Sequence, residues 1–199
     1  MRVWAIVPAA GVGRRIGGPK ALLRLGEATF VEHVVASVTA GGVEHAVVVV
    51  NPQIADEVRA IVGASAEIVV NDRADSEMIE SIQMGLAHVA ATEQPNPCGG
   101  CLITPVDKPQ IRGESVRRCV DAFRASPDRI VIASRDGRRG HPILFPWALM
   151  DFVQSLPPTM GLNQLPRQHA DRVLEVPCEE EGVIADIDTP EAFRAMRRR

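Results

Sequence analysis

Short apolar runs alternate with segments whose apolar residues recur every three or four positions. Val3–Val7 is a continuous apolar run and predicts a buried strand. Thr29–Ala40 places Phe30, Val34 and Val38 on one face and predicts a helix. Ala46–Val50 is unbroken and Val-rich, as expected of a central parallel strand covered on both faces. The same reading gives a helix over Gln53–Val62, a strand over Ala66–Val70 and a longer helix over Ser76–Ala91 with Ser76 at its N-cap. A strand at Cys101–Thr104, a helix at Glu114–Ala125 and a strand at Arg129–Ala133 follow. Strands alternating with helices of this length build βαβ units, so the expected class is a three-layer α/β/α Rossmann-like fold with a mostly parallel sheet. Right-handed crossovers collect the C-terminal strand ends along one rim, where ligands bind, so residues that follow strands are the first candidates for chemistry.

Beyond Ser134 the pattern loosens. Arg135–Gly140 reads as a polar turn, His141–Phe145 as extended and Trp147–Gln154 as a short helix, and Pro157 and Pro158 interrupt the chain. Gly161–Gln168 is ambiguous. Arg172–Val176 is strand-like, Asp186–Asp188 follows a further short extended piece, and Pro190–Arg197 predicts a closing helix with Thr189 as its cap. No internal repeat or low-complexity segment is visible, and Ala91–Gly100 reads as a Pro/Gly-rich loop.

A length of 199 residues suits one domain, 1–199, with a real core. A formal net charge of −3 argues against nucleic-acid binding, which needs a basic face to displace counterions. The basic end (Arg194, Arg197, Arg198, Arg199) is better placed to oppose the dipole of a closing helix. No apolar run approaches the roughly 20 residues of a membrane span, and the opening stretch is read as a strand, not a signal peptide, so a cytoplasmic location is expected. Cys98 and Cys101 form a C-x-x-C, but no second pair stands at zinc-site spacing and the motif precedes a strand, so free thiols are expected there.

The strongest chemical signal is Ala9-Ala10-Gly11-Val12-Gly13-Arg14-Arg15-Ile16-Gly17-Gly18-Pro19-Lys20, directly after the first strand. Small residues let backbone N–H groups approach a phosphate chain, and Arg14, Arg15 and Lys20 bring positive charge to it. A Walker A loop is excluded because Pro19 separates Gly18 from Lys20 and Ala21 has no hydroxyl for magnesium. The dinucleotide fingerprint fits poorly, because Gly13 and Gly17 are one residue too far apart and the second strand ends at Asn51 instead of an acidic residue. Three further segments follow strands or sit between them. They are Met78-x-x-Ser81-Ile82-x-x-Gly85, Thr104-Pro105-Val106-Asp107-Lys108-Pro109-Gln110 and Asp186-Ile187-Asp188-Thr189-Pro190-Glu191. Asp107 alone could hold a metal or merely a turn, and Asp188 or Thr189 could serve only as a helix cap.

Together, in this order, the four motifs resemble the molybdenum cofactor nucleotidyltransferase-like family, most nearly its cytidylyltransferase branch, within the nucleotide-diphospho-sugar transferase fold. The resemblance implies an NTP-binding half at 1–110 and an acceptor-binding half at 111–199. It implies nucleotide binding by Ala9, Ala10, Gly11, Gly13, Arg14, Lys20, Asn71, Ser81 and Asp107, with Lys20 and Arg14 catalytic. It implies magnesium on Asp107 with Asp188 or Asp186. Arg138-x-Gly140-His141-Pro142 resembles the segment that borders the acceptor, which makes Arg139 and His141 acceptor candidates. Glu77, Ile79 and Glu80 depart from the Gly and Ser residues of the family's second motif, and Gly161–Arg167 departs from its Gly-Asp-x-Gly-Ala-Arg run. The implied activity is transfer of a nucleotide, CTP favoured, to a phosphorylated small-molecule acceptor of molybdopterin type with release of pyrophosphate. A sugar- or alditol-phosphate acceptor, and a homologue that binds nucleotide without turnover, stay open.

Overall fold

The computed structural model describes residues 1–196 except Arg14, Arg15, Ala74, 94–98 and Asp188. The elements are β1 (Val3–Pro8), β2 (Arg24–Leu25), β3 (Ala28–Thr29), α1 (Phe30–Ala40), β4 (His45–Val50), α2 (Ala55–Val62), β5 (Glu67–Val70) and α3 (Met78–Thr92). They continue with β6 (Gly100–Ile103), α4 (Gly113–Ala125), β7 (Ile130–Arg135), β8 (Arg138–Pro146), α5 (Met150–Gln154), α6 (Gln164–Gln168), β9 (Val173–Pro177) and α7 (Pro190–Met196). Seven strands form one sheet in the order β5-β4-β1-β6-β8-β7-β9. Every pairing is parallel except those of β8 with β6 and β7. The expected mostly parallel three-layer α/β/α sheet is therefore present.

The period-2 alternation of each strand divides the core. On β1, Trp4 and Ile6 face a cluster formed with Ile82, Leu86 and Val89 of α3 and Leu149 and Val153 around α5. Val3, Ala5 and Val7 face the opposite cluster with Phe30 and Val34 of α1, Val58 of α2 and Val116, Val120 and Phe123 of α4. Burying both faces is what makes the central strands read as unbroken apolar runs. At Gly85 α3 packs tightly on β1: a Cβ there would lie 2.6 Å from Ile6 Cγ2. No helix among the described residues is long and apolar enough to cross a membrane.

Several local expectations are corrected. Helix α3 begins at Met78 after Glu77, whose N–H donates to Glu80 Oε2 at 2.9 Å, so Ser76 is not its cap. The polar stretch 135–140 is part of a β7–β8 hairpin. Only Asp136 and Gly137 make its turn, at φ 51° and 73°. Two successive left-handed residues match the twist of paired strands. Helix α1, by contrast, starts as the sequence predicts. The Thr29 side chain accepts from Glu32 N, and Glu32 Oε2 accepts from Thr29 N at 2.6 Å. Thr29→Ala removes half of this reciprocal cap and is expected to lower unfolding free energy by about 1 kcal/mol in a urea titration.

Strands β1, β4, β5, β6, β7 and β9 run the same way, so their C-terminal ends share one rim. β8 runs against them, and it is its N-terminal end, Arg138–His141, that arrives there. The fold thus brings the Gly-rich turn, Asp107 and the Gly140-His141 segment to one edge.

Candidate active site

The Gly-rich turn is held from inside and from below. The Gly13 carbonyl accepts from Ile16 N at 3.0 Å, Gly17 N at 3.1 Å and Gly18 N at 3.3 Å. Asn51, at the end of β4, donates Nδ2 to Ala10 O at 2.9 Å and accepts Gln53 N at 2.9 Å. The position that fails as an acidic ribose ligand is therefore a clamp on the turn. Arg14 lies outside the described residues.

Behind the turn, one 3-10 turn over Lys20–Leu22 is rooted by the fully buried Ala21. It directs Lys20 Nζ to Asp107 Oδ2 at 3.0 Å. Both side chains are largely shielded, at 19% and 12% exposure, so the pair interacts in a reduced dielectric. A narrow cavity of about 120 Å³ opens here, lined by Ala9, Ala10, Gly11, Lys20, Ser76, Met78, Ser81 and Asp107 among others. Asn71 is buried beneath it and donates Nδ2 to Ser76 Oγ at 2.9 Å and Ser81 Oγ at 3.2 Å. Asn71 therefore orients two hydroxyl-bearing residues of the cavity wall.

Met78 also lines a second, larger cleft of about 630 Å³ that reaches across β8 and β7. Its polar residues include Lys108, Arg138, Arg139, His141, Asn163, Arg167 and Asp186, and Ile79, Ile82, Ile132 and Ile143 supply apolar wall. Lys108, next in sequence to Asp107, is almost fully buried and lines this cleft, whereas Asp107 lines the narrow cavity. Its ammonium lies 2.7 Å from Asp186 Oδ1 and donates to Ala185 O at 2.9 Å. Asp107 and Asp186 are thus each held by a lysine, Lys20 for the first and Lys108 for the second. Among the described residues no group of three or more His, Cys, Asp or Glu is gathered for a metal. Asp188 lies outside the described residues.

His141 is half-buried, with Nδ1 3.3 Å from Ile103 O. Burial, then the Lys108 charge, pushes its pKa down to about 4, while the Ile103 carbonyl, Asp107 and Asp186 pull the other way. The ring is therefore neutral at pH 7, with Nδ1–H donating to Ile103 and Nε2 left as an acceptor. The unfolded chain binds this proton near pH 6.5 and the folded chain only near 4, so stability is lost as pH falls through that window. Ring ¹⁵N spectra are expected to show His141 neutral from pH 8 down to 5.5. Titration near 6.5 in the folded protein would falsify this placement. Arg139, the other acceptor candidate, also lines the cleft, with Nε 2.8 Å from Glu175 Oε1.

The sequence reading assigned no role to Lys108, Arg138 or Asn51. Lys108 had a usable signal: a lysine in the turn after an apolar strand, beside a candidate acidic ligand. Arg138 stood beside Arg139 in the same motif.

Comparison with known proteins places this site in context. The family described as the MobA-like NTP transferase domain matches residues 5–173. A probable molybdenum cofactor guanylyltransferase of Rhodopirellula baltica is 35% identical over 83 residues, 40% of this chain and 39% of its own. The bifunctional protein GlmU of Streptococcus equi subsp. zooepidemicus is 33% identical over 126 residues, 61% of this chain and 25% of its own length. The chain therefore spans well under half of the relatives it matches. The crystal structure of Rv0371c from Mycobacterium tuberculosis H37Rv superposes with a TM-score of 0.83 at 23% identity, covering 100% of this chain and 98% of that one. The same protein has also been solved in complex with manganese.

Proposed function

We infer from one premise, that the chain belongs to the MobA-like NTP transferase family, that the rim binds an NTP beside Lys20 and a phosphorylated small molecule in the larger cleft, and joins them with release of pyrophosphate. The observation that carries this reading is the Lys20–Asp107 pair, which lines the narrow cavity beside Gly11 and whose Asp107 directly precedes Lys108 of the larger cleft. An acceptor phosphate oxygen attacks the α-phosphorus, a new P–O bond forms and the bond to pyrophosphate breaks. Repulsion between anions is the main obstacle, so the site's tasks are charge neutralisation and alignment. Asp107 holds the Lys20 ammonium where the triphosphate passes over Gly11 and Gly13. Arg14 is the further catalytic cation in this reading. Lys108 fixes the segment bearing Asp186 at the acceptor side.

The carboxylates fit a divalent ion by chemistry. Each is a hard oxygen donor, and each keeps lone pairs beyond the one facing its lysine. Asp107, with Asp186 or Asp188, would hold magnesium or manganese. When bound, the ion would neutralise phosphate charge and orient the leaving pyrophosphate.

CTP is the favoured nucleotide, on the Ala-Ala-Gly opening of the turn, and a molybdopterin-type phosphate the first acceptor to test. A sugar- or alditol-phosphate acceptor is favoured by a separate observation: Gly161, Asn163 and Arg167 line the cleft, yet they belong to the segment that departs from the family's run. The deciding experiment is pyrophosphate release from CTP, GTP, ATP and UTP with magnesium or manganese, across molybdopterin-type, sugar-phosphate and alditol-phosphate acceptors. One NTP–acceptor pair with metal-dependent release is the expected result. Tight NTP binding by calorimetry without product in any combination would favour the silent homologue, and no NTP binding would end the reading.

A further inference from the structure

We propose that Ser76 and Ser81 select the base of the NTP, and that Asn71 sets the polarity of both hydroxyls so that they present O–H donors to the two adjacent acceptors of cytosine. The inference rests on the nucleotidyl-transfer reading and names what chooses the nucleotide there.

Asn71 directly follows β5 and is buried. Its Oδ1 accepts Arg73 N at 3.1 Å, which fixes the end of the amide that carries oxygen. The other end donates to Ser76 Oγ at 2.9 Å and to Ser81 Oγ at 3.2 Å. Both amide hydrogens are thereby engaged, and Asn71 has no donor left for a ligand. It is a positioning residue that acts through the two serines.

A hydroxyl has one hydrogen to donate and lone pairs with which to accept. Each serine oxygen accepts from Asn71, and the amide nitrogen offers no lone pair in return, so each O–H must donate elsewhere. Among the described residues no carbonyl or carboxylate takes either hydrogen. Ser81 is only 3% exposed, so bulk water offers its hydroxyl little. Both serines line the narrow cavity, and a ligand there is the partner that completes them.

The rest of the lining suits a base on a triphosphate. Pro8, Ala9, Met78, Pro105 and Val106 offer apolar surface to the faces of a ring, and Lys20 and Asp107 supply charge for phosphates and their metal. A volume of about 120 Å³ favours one ring over two. Cytosine carries its acceptors O2 and N3 side by side, whereas uracil places an N–H between its two carbonyls. Two donors set by one amide therefore match cytosine, and on uracil one O–H faces an N–H. A site with fixed hydrogen-bonding groups discriminates most sharply against an analogue that leaves one of them unpaired.

The test is calorimetric titration of the full chain with CTP, UTP and GTP in the presence of magnesium. Wild-type protein is expected to bind CTP about tenfold more tightly than UTP, the worth of roughly one hydrogen bond, and more tightly than GTP. Ser76→Ala and Ser81→Ala are each expected to move the CTP/UTP ratio toward one. Asn71→Asp is the sharper variant. Its carboxylate accepts from both hydroxyls and turns their lone pairs to the cavity, so the CTP/UTP ratio is expected to fall even if every NTP binds more weakly. Lost packing alone would lower the affinities together and leave the ratio unchanged. Circular dichroism checks the fold of each variant, and the serine variants decide if Asn71→Asp does not fold. Equal binding of CTP and UTP by wild-type protein, tighter binding of GTP than of CTP, or a ratio unchanged in both folded serine variants overturns the proposal while NTP binding itself stands. Absence of any NTP binding overturns this proposal together with the reading on which it rests.

Discussion

Lys20→Ala is expected to reduce the rate of pyrophosphate release about 10²–10³-fold at saturating substrates, the usual cost of losing one preorganised charged donor. The side chain has little freedom to be replaced by a neighbour. Its turn is rooted by Ala21, which is fully buried, and its ammonium is 3.0 Å from Asp107 in a largely shielded place. The same substitution leaves the Asp107 carboxylate without that cation, so some stability is lost too. Two controls separate the effects. Lys20→Arg restores the charge but not the compact ammonium, and is expected to recover stability more than rate. Asp107→Asn keeps the shape, removes the carboxylate that holds Lys20, and is expected to weaken both rate and metal dependence. The readouts are steady-state pyrophosphate release and urea unfolding followed by circular dichroism. A folded Lys20→Ala protein with near-normal kcat would remove Lys20 from the chemistry.

The parts of this arrangement that sequence revealed are those encoded locally. Val47, Val48, Val49 and Val50 are all 0% exposed, and a run that is dry on both faces can be recognised without knowing its neighbours. The Gly-rich turn, Lys20 and Asp107 each followed a readable strand, and a parallel sheet forces such residues onto one rim. The paired segments β2 and β3 escaped notice because two residues each leave no period to detect. β8 was legible as extended chain but not as the strand that runs against the rest. That direction depends on the tight Asp136-Gly137 turn, an Asp-Gly hairpin signal that reading 135–140 as one polar turn passed over.

Electrostatic pairing was less legible than position. Asp188 or Asp186 was expected to face a metal along with Asp107; Asp188 lies outside the described residues, and Asp186 meets Lys108 in the turn after β6. Its lysine partner could not be read, because Lys108 and Asp186 are joined only when the segment after β9 returns to the end of β6. Asn51 shows a different limit. Its type was noticed as wrong for a ribose ligand, but an amide that clamps a carbonyl of the turn has no spacing signature.

Gly13→Ala is expected to weaken NTP binding about 10²-fold while the core stays intact, because the turn cannot accept a side chain at this position. Gly13 sits at φ 61°, and a Cβ built on it would lie 1.8 Å from the Gly18 carbonyl oxygen. The obstacle is backbone, so no side chain can rotate away, and the turn itself must open. Opening disturbs the N–H groups of Ile16, Gly17 and Gly18 that converge on the Gly13 carbonyl. The displacement then passes through Pro19 to Lys20. Gly11→Ala is the informative partner, since a Cβ there meets nothing within 4 Å. It is expected to leave the nucleotide-free turn unchanged in amide hydrogen exchange, whereas Gly13→Ala is expected to raise exchange across the described residues 16–18. An affinity loss in Gly11→Ala would then report contact with the nucleotide itself, and an affinity loss in Gly13→Ala would report the collapse of its cradle. Calorimetric titration with CTP and GTP measures both, and wild-type affinity in Gly13→Ala would show that the turn does not grip the phosphates.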